Sequence, residues 1–211
     1  MKINFIIVAA SILFFTACHS KKIIVYANND VAINEDAKTI TQKDNEGHVD
    51  KEIEFKTGDK VELKVQQKDG STSNIEIPED GYYIVNVKAK DTIVGGYQKY
   101  STQQEANRII TQEELKRSID SLQQMVDGKN TSAANRTFFI PPNTAAKISS
   151  NTDATVIGPY HRMTSMEQQG NKEPEVYRFY SVKEVRETID KLMQHAGEKP
   201  ADEEKTQKEA R

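Results

Sequence analysis

Tryptophan is absent from this 211-residue chain and cysteine occurs once, at position 18. A single cysteine excludes an intrachain disulfide and any cysteine-based metal cluster, so stability has to come from an apolar core. The lack of tryptophan removes the commonest side chain for stacking sugars. Basic residues are not in excess: 29 Lys and Arg stand against 32 Asp and Glu, a formal charge of −3. That balance argues against nucleic acid or an anionic lipid surface as the main ligand. The longest apolar stretch, Ile3 to Ala17, is shorter than the roughly 20 residues a membrane-spanning helix needs, and Lys21 and Lys22 follow it. With 29% charged residues and a mean hydropathy of −0.71, no second membrane segment follows. There is no Gly-x-x-x-x-Gly-Lys loop, no Gly-x-Ser-x-Gly elbow and no His-Glu-x-x-His pair. No cofactor and no metal-ligating set is expected from motifs of this kind.

What is present begins at the amino terminus. Lys2, the apolar run Ile6 to Phe15 and Phe15-Thr16-Ala17-Cys18 form a charged start, an apolar middle and small residues before a cysteine. The arrangement resembles the signal and lipobox of bacterial lipoproteins, with Phe15 where leucine is usual. That resemblance implies cleavage before Cys18, a thioether-linked diacylglycerol on its sulfur and a third acyl chain on the new amino group. Two or more chains anchor stably where one is marginal, at about 0.8 kcal/mol per buried methylene. By analogy with Gram-negative lipoproteins, His19 rather than Asp after the cysteine implies the outer membrane. Cleavage would remove only Lys2 from the 29 basic residues, leaving 28 against 32 acidic and a mature charge of −4. Acylation would also consume the one thiol.

Downstream, the chain repeats itself. Thr92-Ile93-Val94-Gly95-Gly96-Tyr97-Gln98-Lys99 reads against Thr155-Val156-Ile157-Gly158-Pro159-Tyr160-His161-Arg162, and Ile77-Pro78 meets Ile140-Pro141 at the same offset. Thr111 to Leu122 then matches Ser181 to Leu192 after a short insertion in the second copy. Three blocks in one order indicate an internal duplication. Thr111 with Glu114 and Ser181 with Glu184 predict capping boxes at two helix starts. Leu115, Ile119, Leu122 and Val126, and likewise Val185, Ile189, Leu192 and Ala196, predict one apolar stripe per helix, with Gly128 and Gly197 as stops. Ahead of each helix, Tyr82–Val87 with Thr92–Gly95, and Lys147–Ser149 with Ala154–Gly158, suit β-hairpins. Asp120 and Asp190, beside the stripes, read as solvated helix residues.

Between the anchor and the first repeat, Ile23–Ala27, Glu52–Lys56 and Lys60–Val65 read as strands, with turns at Gly58-Asp59 and Asp69-Gly70. Gly58–Val65 and Glu79–Val85 resemble strands of small surface β-sandwich modules, the second being similar to the tyrosine corner of immunoglobulin-like domains. Glu198–Arg211, dense in Glu and Lys, reads as a disordered tail. The expected organisation is α+β: signal peptide 1–17, lipidated linker 18–22, a β-rich sandwich-like sheet over 23–76, ββα repeats over 77–128 and 129–197, and a tail over 198–211.

Two functions fit these readings. One is a lipid-anchored envelope lipoprotein with a non-enzymatic structural or binding role. It would be held to membrane lipid through Cys18 and would meet an envelope protein or peptidoglycan. Loops disproportionately carry recognition residues, which points to Tyr97, Tyr160, His161 and Tyr177 and to the longer second loop, Thr164–Pro174. Packing is the commoner fate of tyrosines so placed. The alternative is a small periplasmic hydrolase using His161 with Asp153 or Glu167. His48 reads as part of a polar loop, and His195 as a cation at a helix end.

Overall fold

Two segments, Lys21–Ala27 (β1) and Gly81–Asn86 (β7), are buried along nearly their whole length, so both of their faces must be covered. They pair in parallel, Lys21 against Gly81 through Tyr26 against Asn86, at the heart of a central four-stranded sheet. Val49–Phe55 (β4) flanks β1 and Thr144–Ser149 (β10) flanks β7, both antiparallel, giving the order β10-β7-β1-β4. The computed structural model describes residues 20–27, 31–42, 47–99, 110–162 and 174–197.

Alternation along β1 and β7 divides the interior. Ile23, Val25, Ala27, Tyr83 and Val85 point to one side. There a second sheet, in the order β2-β3-β5-β6, closes the first core with Val31, Ile40, Val61, Leu63, Val65, Ile75 and Ile77. Its strands are Val31–Asn34 (β2), Thr39–Gln42 (β3), Val61–Gln66 (β5) and Thr72–Ile77 (β6). In β5 the charged Glu62 and Lys64 alternate outward, the half-exposed pattern expected from the sequence. Ile24, Tyr26, Tyr82 and Ile84 point to the other side, against a third sheet in the order β11-β12-β8-β9. This sheet comprises Ile93–Gln98 (β8), Thr137–Ile140 (β9), Thr155–Ile157 (β11) and Val176–Ser181 (β12). Its far face carries Val94, Phe139 and Tyr180 into a third core under two helices, Gln112–Val126 (α1) and Val182–Ala196 (α2). The result is three sheets and a helical layer, an α+β body that is mostly β.

Both helices start with the capping boxes expected, Thr111 with Glu114 and Ser181 with Glu184. Gly197 caps α2 in the left-handed conformation, while α1 stops at Asp127 and Gly128 takes the left-handed turn after it. Tyr83 donates its hydroxyl to the Glu79 carbonyl at 3.0 Å, a tyrosine-corner bond.

One expectation changes. The paired segments at 82–87 with 92–95 and at 147–149 with 154–158 are not hairpins. In each, the first strand belongs to the central sheet and the second to the third sheet. Strands apolar on both faces need neighbours in two layers, so the chain turns a corner between sheets instead of folding back in one. The central sheet takes β1 and β4 from before residue 77 and β7 and β10 from after it, so the β-rich segment and the repeat region share that sheet.

Candidate functional site

Strand β4 lies at the edge of the central sheet and sends Asp50, Glu52 and Glu54, at period two, to the face that carries Tyr26 and Ile24. Charged residues of this kind also guard an open edge against further strand pairing. Glu52 accepts from the Tyr82 hydroxyl at 2.8 Å and pairs with Lys22 at 3.1 Å, and Glu54 accepts from Ser20 at 2.5 Å. Asp50, directly opposite Tyr26 in the register, has imidazoles beside it instead. His48 precedes β4 and shares the face of Asp50 because one residue separates them.

The third side chain comes from the loop after β11. Gly158 and Pro159 are buried and bring the chain over Tyr26. A Cβ on Gly158 would stand 2.5 Å from the Tyr26 ring and hydroxyl, so only glycine permits this approach. Tyr160 follows at φ 63°, a conformation a bulky residue adopts only when its surroundings impose it. Its amide donates to Glu184 at 2.8 Å and its hydroxyl lies 3.0 Å from that of Ser181, which ties the loop to the start of α2. His161 then sets Nε2 3.4 Å from the Asp50 carboxylate, and His48 Nε2 is 3.9 Å from the same oxygen.

Aromatic rings enclose the group. The Tyr26 ring stacks on His48 at 5.7 Å, while Tyr160 and His161 meet His48 edge-on at 5.2 and 6.0 Å. Lys88 reaches over the Tyr160 ring and pairs with Asp91 at 3.2 Å. Burial, reinforced by the Lys88 charge and only partly opposed by Asp50, lowers the His48 pKa to about 4, so its imidazole is neutral at physiological pH. Burial and the nearby Asp50 charge push Tyr26 far above the ordinary phenol value, and it stays a neutral hydroxyl. The Tyr26 hydroxyl and both His48 nitrogens are buried with no hydrogen-bond partner among the described residues. Two imidazoles and a carboxylate, their donor atoms all within 4.8 Å of one another, are the residues here able to hold a metal ion.

Of the tyrosines and the histidine singled out in the sequence, Tyr160 and His161 meet at this site. Tyr97 and Tyr177 meet elsewhere, edge-to-face on the adjacent strands β8 and β12. Tyr177 is buried, and its hydroxyl bonds Glu175 at 2.7 Å and Arg136 at 2.8 Å. Arg136 lies over the Tyr97 ring and pairs with Glu175 at 2.6 Å, and Ser149 and Asn151 complete the bonds to that carboxylate. Together these contacts knit β12 to its neighbours. The carboxylate beside His161 is that of Asp50. Asp153 makes no ion pair with His161 among the described residues, and Glu167 lies outside them, as do Cys18 and positions 164–173 of the second loop.

Sequence reasoning missed His48 and Asp50. The signal was the His48-Val49-Asp50 alternation, which has meaning only once β4 is known to be a strand and the loop at 158–161 is known to close over it. No protein-family model matches the chain, and comparison with curated proteins and with solved structures finds no match.

Proposed function

We propose that the chain is a membrane-anchored envelope lipoprotein whose folded body serves a non-enzymatic binding role toward an envelope protein or peptidoglycan. The observation that carries this reading is the lipobox at Phe15-Thr16-Ala17-Cys18, placed immediately before the first strand of the central sheet. Two residues, His19 and Ser20, separate Cys18 from Lys21, and three chain steps reach at most about 11 Å, so an acylated Cys18 would hold the start of β1 against the bilayer. β1 runs for seven residues, about 20 Å, to the end where Tyr26 pairs with Asp50. Tethered in this way, the body presents the His48, Asp50 and His161 cluster away from the membrane. Labelled palmitate should enter the wild-type protein and be lost in Cys18→Ser. Equal incorporation in both, or none in the wild type, refutes the anchor.

The same reading includes descent of the repeat region from a duplicated strand-strand-helix unit. Each copy would place one strand in the central sheet and the next in the third sheet. The corners between them open alike: the Lys88 amide donates to the Asn86 side chain at 3.2 Å, and at the matching positions the Asn151 amide donates to Ser149 at 2.9 Å. The shared capping boxes of α1 and α2 support the same descent.

A hydrolase built on His161 is the competing reading, and its pairing with Asp50 favours it to the extent that a carboxylate orients an imidazole base. If that reading holds, a broad hydrolase screen finds an activity that His161→Ala abolishes. The binding role predicts none.

A further inference from the structure

We propose that His48, Asp50 and His161 bind one divalent first-row transition-metal ion at the end of β1 opposite Lys21. The site does not depend on the anchor or on any partner. Two imidazoles with a single carboxylate suit zinc, copper, nickel or iron, whereas magnesium and calcium require more oxygen donors than this cluster offers. Bonds of about 2.0–2.1 Å in a tetrahedral site put neighbouring donor atoms about 3.3 Å apart. His161 Nε2 and Asp50 already stand at 3.4 Å, and His48, 3.9 Å from Asp50 with all three donor atoms within 4.8 Å, closes the site by drawing in toward the ion.

Orientation supports the same conclusion. His161 Nδ1 is 3.0 Å from the Pro159 carbonyl, which can only accept, so Nδ1 carries the hydrogen. In the neutral tautomer that this contact selects, Nε2 carries the lone pair, on the side of Asp50. Fixing one ring nitrogen on a carbonyl so that the other can ligate is the usual support for a metal-bound histidine. The strained Tyr160, held by Glu184 and Ser181, fixes the loop that makes this possible.

A second, independent feature is polar burial without partners. Buried nitrogens and hydroxyls are normally hydrogen-bonded, yet both nitrogens of His48 and the hydroxyl of the fully buried Tyr26 find no partner among the described residues. Tyr26 stacks on His48 and lies under Gly158, against the same cluster. Lys88, beside the cluster, is countered by Asp91 at 3.2 Å. The His161 and Asp50 side chains are 49% and 38% exposed, which gives an ion access and leaves coordination positions for water or an added ligand.

The test is zinc binding by the detergent-purified full chain, measured by competition with a chromophoric chelator. Wild type should take up one zinc per chain, unaffected by excess magnesium. His161→Ala and Asp50→Asn, both at exposed positions and checked for fold by circular dichroism, should each weaken binding by about tenfold or more. His195→Ala, at the end of α2, should leave it unchanged. No stoichiometric zinc, or an affinity that neither His161→Ala nor Asp50→Asn alters, overturns the proposal.

Discussion

Lys21 is fully buried at the start of β1, yet its side chain forms an ion pair. Its ammonium group lies 2.9 Å from the Asp80 carboxylate and 2.9 Å from the Thr57 carbonyl. Removing one member of a buried pair typically costs about 3–5 kcal/mol, because the other charge is left without its counterion. Two features reduce that figure here. Asp80 is 37% exposed, so water replaces part of what Asp80→Ala removes, and the Thr57 carbonyl stays in place. A loss of about 2–3 kcal/mol is therefore expected for Asp80→Ala, which for a body of this size lowers the melting temperature by roughly 4–12 °C. Lys21→Met should behave differently. It keeps the buried stem, removes the ammonium and leaves Asp80 facing water, so its effect should stay within about 1 kcal/mol. Urea unfolding of the detergent-purified chain, followed by circular dichroism, reads both. Asp80→Ala within about 0.5 kcal/mol of wild type, or Lys21→Met costing more than Asp80→Ala, would refute the reasoning.

Other perturbations test other layers of the body. Thr111→Ala removes an exposed cap and should cost about 1 kcal/mol; Ser181→Ala also removes the partner of the Tyr160 hydroxyl and should cost more in the same urea assay. A Cβ at position 95 would lie 2.1 Å from the Arg178 carbonyl, so Gly95→Ala should destabilise by about 1–3 kcal/mol or more by forcing β8 from β12; a wild-type urea midpoint would contradict that placement. Burial raises the Glu175 pKa, but hydrogen bonds from Tyr177, Asn151 and Ser149 and the Arg136 charge outweigh it, so the folded value lies below the unfolded 4.5. The stability it contributes is present above pH 4.5 and is lost as pH falls through the lowered folded value, and Glu175→Gln should flatten that part of a stability-versus-pH curve.

The parts of the fold set by neighbours in sequence were readable in advance. The two capping boxes, the helical stripes and the Asp69-Gly70 turn, where Asp69 accepts from the Ser71 amide at 2.9 Å, depend on residues a few positions apart. Strand β1 was equally legible from its apolar run. Partner choice was not. A strand apolar on both faces, such as β7, announces burial without naming the layer it joins, so two corners between sheets read as hairpins. Tyr177 read as a loop aromatic although it lies on β12, which alternates Tyr177 and Phe179 into one core and Tyr180 into another, because the antiparallel partner β8 lies far back in the chain. The candidate site was half visible. Tyr160 and His161 stood out through the repeat. His48 and Asp50 did not, since their ligand geometry arises only when β4 and the loop at 158–161 meet.

The anchor is the claim on which the functional reading rests, and mass spectrometry of the amino-terminal peptide from membrane-extracted protein tests it most directly. The account predicts a peptide that begins at Cys18 and carries a diacylglyceryl thioether with an added acyl chain. A peptide that retains Met1, or one that begins at an unmodified Cys18, contradicts it.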